Sequence, residues 1–330
     1  MTEGVVLWGS NNIFHVDVPG EPSGAGGAPL LVVDGLPQAV ECRIKGKQLA
    51  GTRRGYNVLA PGDRVGLTLH GSTGQIEKRL PRKNEFIRWN RKRNAVQTIA
   101  ANLDLLIVVS SPREPAFRPR FIDRAMVAAE LEEIPFALVI NKSDQGIDTT
   151  IRSRLELLEN LGYPVLSTSA LEGGGIGELE ELCRGREVAF LGQSGVGKSS
   201  LLNALEPEIA ARIGAVSSKY NRGRHTTTLA VRLFLPRLDC GVIDTPGIRE
   251  LDLYAFRREQ IAWGFREMAP LIPECRIPGC THLHEPDCAV RAGVEAGRID
   301  IERYESYRRI IADHQMSGKL AGEDRYAPGR

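Results

Sequence analysis

The pattern of apolar and polar positions separates an amino-terminal part built of short strands from a longer part that alternates strands with helices. In the first 80 residues, short apolar runs are separated by glycine, proline and serine turns, and none shows the spacing of a helix. The predicted strands are residues 5–7, 13–18, 30–33, 39–44, 64–69 and 75–79. Such strands predict a small β-barrel, and an oligonucleotide-binding (OB) fold is one candidate for it.

The apolar pattern changes after residue 100. Continuous apolar runs, which a strand buried on both faces of a parallel sheet requires, now alternate with amphipathic segments. The apolar runs are residues 103–109, 136–140, 164–167, 188–191 and 241–243. Residues 121–131 and 151–161 place apolar side chains three and four positions apart, as helices covering a sheet do. We therefore expect a multi-domain α/β protein whose central domain has a mostly parallel sheet.

The composition is that of an ordinary globular protein, with 42% apolar and 25% charged residues. The amino terminus lacks the features of a secretion signal, and no apolar stretch approaches the ~18 residues of a membrane span. The cysteines are too scattered for a disulfide framework, which suits a reducing compartment. They are Cys42, Cys183, Cys240, Cys275, Cys280 and Cys288. We expect a cytoplasmic protein that does not enter a membrane.

The net charge of +2 conceals two strongly basic stretches. Residues 77–93 contain Lys78, Arg79, Arg82, Lys83, Arg88, Arg91, Lys92 and Arg93. Residues 209–238 contain no acid and carry Arg212, Lys219, Arg222, Arg224, Arg232 and Arg237. A single basic stretch is as easily a solvated face, but two in one chain favour a polyanionic partner.

A phosphate-binding loop follows the predicted strand at residues 188–191 and precedes a helix-forming run. It matches the pattern G-x-x-x-x-G-K-S/T, in which glycines allow backbone N–H groups to face phosphate oxygens. We expect Lys198 to reach the β- and γ-phosphates and the Ser199 hydroxyl to bind Mg²⁺. The residues predicted to bind nucleotide here are Gly192, Gln193, Ser194, Gly195, Val196, Gly197, Lys198, Ser199 and Ser200.

A base-recognition loop with the sequence N-K-S-D follows the predicted strand at residues 136–140. The Asp144 carboxylate can accept hydrogen bonds from the N1–H and the exocyclic amine of guanine, whereas adenine lacks this pair of donors. The sequence T-S-A at residues 168–170 follows another strand. The predicted base-binding residues are Asn141, Lys142, Ser143, Asp144, Ser169 and Ala170. Together with the phosphate loop, they predict GTP rather than ATP.

A magnesium site is predicted where the strand at residues 241–243 ends in the sequence D-T-P-G. We expect Asp244 to hold Mg²⁺ through a water molecule and the Gly247 N–H to contact the γ-phosphate. Between the phosphate loop and Asp244, the sequence G-R-H-T-T-T offers a threonine as a further magnesium ligand. The spacing leaves Thr226 and Thr227 as alternatives.

The order of these elements is unusual, because base recognition comes first, phosphate binding second and the magnesium aspartate last. This order predicts a circularly permuted GTPase domain. After the D-x-x-G motif, many GTPases carry a glutamine that orients the attacking water, but here Ile248 occupies that position. Intrinsic hydrolysis is therefore expected to be slow. The predicted catalytic residues are Lys198, His225 and Asp244, and the alternative for His225 is a phosphate- or RNA-contacting role.

A metal site is predicted from the spacing C-x4-C-x-H-x5-C, formed by Cys275, Cys280, His282 and Cys288. Three thiolates and one imidazole are enough for a closed tetrahedral zinc site with no open position for catalysis. The surrounding segment is rich in proline and glycine, so zinc would supply folding free energy. His284 is a rival for the histidine position.

The combined motifs resemble the ribosome-small-subunit-dependent GTPase A family over about residues 35–307, including the sequence L-P-R-K-N before them and the Cys/His cluster after them. The resemblance implies an OB-fold barrel, a circularly permuted GTPase domain and a carboxy-terminal zinc domain with helices, acting late in maturation of the small ribosomal subunit. It also favours His282 over His284. The chain departs from the family pattern in the insertion at residues 20–29 and in Trp89, where a proline is expected.

We therefore expect an OB-like barrel at residues 1–82, a permuted GTPase domain at residues 83–255 and a zinc domain at residues 256–330. The segment up to about residue 97 is predicted as a basic linker, and the end of the chain as a flexible tail. The predicted function is ribosome-stimulated hydrolysis of GTP to GDP and phosphate by a monomer bound to the small subunit and its rRNA.

Two other functions are weighed against this prediction. A signalling or trafficking GTPase with a protein partner would need an anchor or a large apolar surface, and no lipidation motif is present. A GTP-regulated RNA-binding protein without catalysis would not need Lys198, Ser199 and Asp244.

Overall fold

Most of the chain is described in the computed structural model. The described residues are 2–10, 12–19, 39–45, 49, 57–207, 230–245, 248 and 250–321, with side chains to residue 316. The strand predicted at residues 30–33 and the insertion at residues 20–29 lie outside these ranges. Across the described part of the chain, no helix has both the length and the apolar composition needed to cross a bilayer.

The amino-terminal part is a closed five-stranded barrel. Its strands are β1 (Thr2–Ser10), β2 (Ile13–Asp17), β3 (Ala39–Ile44), β4 (Arg64–His70) and β5 (Thr73–Arg79). Around the barrel the order is β1-β2-β3-β5-β4, and β4 pairs with β1 to close it. Val65 and Leu67 on β4 alternate inward and are fully buried with Ile76 on β5. The predicted barrel is confirmed, and its five-stranded closure fits an OB fold.

An antiparallel hairpin of β6 (Glu85–Asn90) and β7 (Ala95–Ala101) occupies much of the segment predicted as a basic linker. Several basic side chains of this segment have acidic partners. Arg82, which is 9% exposed, donates to Asp63 at 2.7 Å and also pairs with Glu85. The charge balance of residues 77–93 does not reveal this pairing, because Asp63 lies 19 residues before Arg82 in sequence. The basic stretch at residues 77–93 is thus partly neutralised inside the fold.

The central domain contains a six-stranded sheet. Its strands are β8 (Leu105–Ser110), β9 (Phe136–Ile140), β10 (Val165–Ser167), β11 (Glu187–Gly192), β12 (Val231–Leu235) and β13 (Cys240–Asp244). Their order is β10-β9-β8-β11-β13-β12, and every pair is parallel except β12 with β13. The predicted mostly parallel sheet is confirmed; the edge strand β12 was not predicted, because its residues lie in the second basic stretch.

Within the described residues, the helices that cover the sheet are α1 (Pro119–Leu131), α2 (Thr149–Asn160), α3 (Ile176–Cys183) and α4 (Lys198–Leu205). Pro119 at the first position favours the start of α1, and the Asp148 carboxylate accepts a hydrogen bond from Ile151 N at 2.9 Å to cap α2. One apolar cluster joins α1 and α2 to the sheet, and a second joins α3 and α4 to the opposite face. The sheet therefore has helices on both faces.

The carboxy-terminal part packs onto the same core as α1. It contains 3₁₀ segments at Arg258–Gly264 and Ala269–Glu274, followed by α5 (Ala289–Glu295) and α6 (Ile301–Ala321). Phe265, Tyr307 and Ile310 belong to one continuous apolar cluster with Met126 of α1. Helix α6 extends to Ala321, and the rest of the predicted tail lies outside the described residues.

Candidate nucleotide site and metal centre

The predicted phosphate loop connects β11 to α4 at the carboxyl edge of the sheet. Gly195 and Gly197 have positive φ angles of 89° and 92°, which other residues rarely adopt. A Cβ atom on Gly197 would lie 2.2 Å from Nδ2 of Asn141, so the neighbouring loop also requires a glycine here. These two glycines let the backbone turn tightly enough to present its N–H groups to an anion.

Lys198 is buried at the start of α4, with 8% of its surface exposed. Its Nζ donates to the carbonyl oxygens of Gly192 at 2.8 Å and Gln193 at 3.2 Å. Burial, the larger effect, lowers the pKa of Lys198, while the Asp244 carboxylate opposes that change. The ammonium group therefore lies inside the phosphate loop. Ser199 and Ser200, the next predicted site residues, are exposed.

The predicted base loop is hydrogen-bonded to the phosphate loop. Nδ2 of Asn141 donates to the carbonyl oxygen of Val196 at 2.9 Å. Oδ1 of Asn141 accepts from Ala170 N at 3.2 Å and from Thr168 Oγ1 at 3.3 Å. Asn141 is 1% exposed, so these bonds are shielded from water. One amide side chain thus joins three loops that lie far apart in sequence.

Asp144 is exposed beside this junction, and its Oδ1 accepts a hydrogen bond from Ser169 Oγ at 2.6 Å. Lys142 has a left-handed backbone with φ 63°, and its Nζ donates to the carbonyl oxygen of Glu114 at 2.6 Å. Ser143 begins a short 3₁₀ turn that ends at Gln145. The structure therefore brings the sequence-predicted base-binding residues together. Sequence reasoning missed Glu114, because a backbone carbonyl carries no residue-specific signal.

Asp244 ends β13 next to β11, where it is paired in register with Phe190. The residue is 8% exposed, and its Oδ1 has no hydrogen-bond partner among the described residues. Burial, the larger effect, raises the pKa of Asp244, and Lys198 opposes that change. An unpaired buried carboxylate oxygen beside the phosphate loop fits a hydrated Mg²⁺.

Ile248, at the position of a water-orienting glutamine, is 6% exposed and belongs to the core cluster with Leu251 and Leu253. Its side chain packs in the apolar core and offers no hydrogen-bonding group to a water molecule. The remaining predicted nucleotide-site residues, His225, Thr226, Thr227 and Gly247, lie outside the described residues.

The four predicted zinc ligands are brought together in the carboxy-terminal part. Ligand atoms of Cys275, Cys280, His282 and Cys288 all lie within 4.8 Å of one another. Nδ1 of His282 is 3.5 Å from the sulfur atoms of both Cys275 and Cys288. The rival His284 is exposed and does not belong to this cluster. Three thiols and one imidazole at these separations fit a tetrahedral metal ion such as zinc.

The loop that carries His282 is held by side chains that the ligand spacing did not reveal. The Glu285 carboxylate accepts from the backbone N–H groups of Thr281 at 2.9 Å and Leu283 at 3.1 Å, and from the Thr281 hydroxyl. Tyr304 and Tyr307 of α6 donate to the carbonyl oxygens of His282 at 2.6 Å and Thr281 at 2.7 Å. Burial, the largest effect, lowers the pKa of His282, which favours the neutral ring that binds metals.

Comparison with known proteins agrees with this arrangement. A family model described as RsgA GTPase matches residues 79–254. The small ribosomal subunit biogenesis GTPase RsgA of Borreliella afzelii is 37% identical, covering 93% of this chain and 95% of the relative. The protein of the same name from Moorella thermoacetica is 44% identical, covering 82% and 89%.

Solved structures give the same result. The crystal structure of YjeQ from Thermotoga maritima matches with a TM-score of 0.70 and 30% identity, covering 95% of this chain and 98% of YjeQ. YloQ, described as a circularly permuted GTPase, matches with a TM-score of 0.66 and 25% identity, covering 96% of each chain. The predicted family resemblance is confirmed. The chain belongs to the RsgA GTPase family and is a GTPase.

Proposed function

We propose that this GTPase hydrolyses GTP to GDP and phosphate on the small ribosomal subunit late in maturation, and that the subunit stimulates turnover. The observation that carries the proposal is a base loop joined directly to a phosphate loop by the bond from Asn141 to Val196. This junction occurs in a chain whose relatives are named small ribosomal subunit biogenesis GTPases.

Guanine selection is assigned to the base loop and its neighbour. The bond from Ser169 Oγ fixes one oxygen of Asp144, and the carboxylate of Asp144 retains acceptor capacity for the N1–H and amine of guanine. Asn141 holds this loop against the phosphate loop, so base and phosphates are recognised by one connected unit. The proposed base-binding residues are Asn141, Lys142, Ser143, Asp144, Ser169 and Ala170.

Binding of the phosphates is assigned to residues 192–200, which run from the end of β11 into the first turn of α4. Backbone N–H groups of this loop face the phosphate oxygens, and Lys198 provides the positive charge that stabilises the transferring phosphoryl group. Ser199 and Asp244 are proposed to hold Mg²⁺, with Thr226 or Thr227 as a further ligand. When bound, Mg²⁺ neutralises charge on the β- and γ-phosphates.

The attacking water has no partner from Ile248, whose side chain is packed in the core. Turnover by the isolated protein is therefore slow in this proposal. His225 is proposed to orient the water when the protein is bound to the ribosome, and a phosphate- or RNA-contacting role is the alternative for this histidine. The Gly247 N–H is proposed to contact the γ-phosphate.

The zinc site is assigned a structural role, because Cys275, Cys280, His282 and Cys288 would fill all four positions of a tetrahedral ion. Bound zinc would contribute to folding of the carboxy-terminal part. We further propose that the protein is a cytoplasmic monomer that binds the small subunit through its rRNA.

Turnover of GTP with and without purified small subunits tests the function. We expect slow turnover alone and acceleration by about a thousandfold or more with small subunits, a range known for activated GTPases. Large subunits at the same concentration serve as the control. Equal turnover with and without small subunits would contradict the proposal.

Other outcomes identify the competing functions. Stimulation by a ribosome-free protein fraction alone would favour a signalling or trafficking GTPase. GTP binding without turnover, even on small subunits, would favour a GTP-regulated RNA-binding protein. In the stimulated reaction, His225→Ala is expected to reduce turnover far more than GTP affinity, as for a group acting in the transition state.

A further inference from the structure

Residues 111–120, which follow β8 and include the first two residues of α1, border both nucleotide loops. The Glu114 carbonyl accepts the bond from Lys142 of the base loop. A Cβ atom on Gly195 of the phosphate loop would lie 3.6 Å from Cδ of Pro115. The segment closes on itself through the bond from Ser111 Oγ to the Pro115 carbonyl oxygen at 2.8 Å. It therefore forms a wall of the candidate nucleotide site.

The same segment carries three exposed arginines, Arg113, Arg118 and Arg120. Within the part of the chain that the structure describes, none of the three has an ion-pair partner, unlike Arg82, which is paired inside the fold. The segment contains a single acid, Glu114. These cations are thus available to a ligand, and we name Arg113, Arg118 and Arg120 the arginine face.

The positions of two of these arginines are unfavourable for the isolated helix. Arg118 is the residue before the first turn of α1 and makes no capping bond through its side chain, and Arg120 lies within that turn, which has no acid. Cations at a helix amino terminus are repelled by the helix dipole. An anion bound there is attracted by the helix dipole and by the arginine side chains. Charge complementarity therefore indicates an anionic partner.

We propose that the arginine face is a docking surface for the phosphate backbone of RNA. Guanidinium groups bind phosphate oxygens in a bidentate manner, and RNA presents such phosphates at regular spacing along its backbone. The choice of RNA rests on the proposed function, in which the partner is the small subunit and its rRNA. RNA docked here would contact the segment that touches both nucleotide loops.

The test measures binding of the full chain to purified small subunits over a series of monovalent salt concentrations at fixed Mg²⁺. Arg118→Gln with Arg120→Gln is expected to reduce affinity about tenfold at low salt, and to flatten the dependence of log affinity on log salt by about 1.4 to 1.8 units. Adding Arg113→Gln should flatten it further. Replacement of both residues by lysine should preserve the slope, since the charge is kept.

A matched control removes two arginines at the opposite end of β11. Arg184 pairs with Glu181, and Arg186 donates to the carbonyl oxygen of Leu182. Both precede β11, whose carboxyl end leads into the phosphate loop, so they lie about 20 Å from that loop. Arg184→Gln with Arg186→Gln should leave affinity and salt slope nearly unchanged. GDP affinity should stay unchanged in both double variants. The thermal unfolding midpoint of the Arg118/Arg120 variant should not fall, because both cations oppose the dipole of α1.

Unchanged subunit affinity and slope in the Arg118/Arg120 variant would overturn the inference, and so would an equal loss in the control. A loss of GDP affinity would instead assign these arginines to the nucleotide. Small-subunit rRNA stripped of protein is the second ligand; if the variant binds it like the parent protein, the partner is not RNA. If the parent protein itself fails to bind small subunits, the proposed function fails.

Discussion

At the scale of single residues, Asp144 is the residue proposed to select the base. Its carboxylate is exposed and oriented by the Ser169 hydroxyl, whose oxygen also accepts from Glu172 N at 3.1 Å. The orienting group is thus itself held by the loop. A fixed acceptor discriminates strongly between bases, because a mismatched base leaves its own donors or the carboxylate unpaired.

Asp144→Asn is expected to weaken GDP binding by at least ~1 to 3 kcal/mol, because an amide donor replaces an acceptor opposite two guanine donors. Titration with a fluorescent nucleotide analogue measures the change. Asp239→Asn, an exposed aspartate in the turn before β13, is the control. Equal affinities for Asp144→Asn and the parent protein would remove Asp144 from the site.

Glu285 has a comparable role at the candidate metal centre, because its carboxylate accepts hydrogen bonds from the backbone N–H groups around His282. Glu285→Gln is expected to lower metal affinity about tenfold or more, as substitutions beside metal ligands do. Release of metal to a colorimetric chelator gives the readout, independently of GTP hydrolysis. Glu295→Gln, at an exposed position on α5, should release metal like the parent protein. Identical metal release from the Glu285 variant would show that the loop carrying His282 does not depend on the Glu285 carboxylate.

At the scale of elements, a buried charge network joins α1, α2 and α6. Arg303 is fully buried and donates to Asp123 at 2.6 Å and to Glu267 at 2.6 Å. Asp123, 1% exposed, also accepts from Arg154 of α2 at 2.6 Å and 2.8 Å. Charges buried this deeply persist only when paired, so the network requires all of these elements to be in place.

Asp123→Ala is expected to destabilise the protein by about 3 to 5 kcal/mol, because it leaves buried guanidinium groups without a counter-charge. The midpoint of urea denaturation measures the loss. The control is Asp313→Ala; the Asp313 side chain is 48% exposed, and its pair with Arg124 should contribute less than about 1 kcal/mol. Similar midpoints for the Asp123 and Asp313 variants would mean that the buried network contributes little to stability.

Helix α1 has opposing requirements at its amino end. Arg118 and Arg120 near its positive pole each cost ~0.3 to 1 kcal/mol in the isolated protein. Packing offsets this cost, because eight residues of the helix are buried, including Phe121, Ile122 and Met126. A helix can thus keep an unfavourable arrangement of charges when its apolar face is well buried. The charges are then available to bind a ligand.

At the scale of the whole molecule, both flanking parts are packed against the central domain. Leu7 and Trp8 of the barrel are buried in one cluster with Leu233 and Leu235 of β12. On the other side, Tyr307 and Ile311 of α6 share the core of α1. The strand β12 is the first described element after residues 208–229, which contain the predicted His225, Thr226 and Thr227.

The nucleotide motifs, their permuted order and the candidate metal ligands can be recognised from the amino-acid sequence alone. Each nucleotide motif follows a continuous apolar strand, and the carboxyl ends of parallel strands meet at one edge of a sheet, so convergence of Asp144, Lys198 and Asp244 was predictable. The candidate metal site at residues 275–288 was likewise predictable from spacing, because all four candidate ligands lie in one short segment.

Which charges are neutralised and which remain available depends on how elements far apart in sequence pack together. Arg303 and Asp123 form a buried pair across 180 residues, and Arg82 reaches Asp63 in the barrel, whereas Arg118 stays unpaired among the described residues. Local periodicity and composition report only neighbours along the chain. Ion pairing depends on distance in space and on burial, which the packing of distant elements sets.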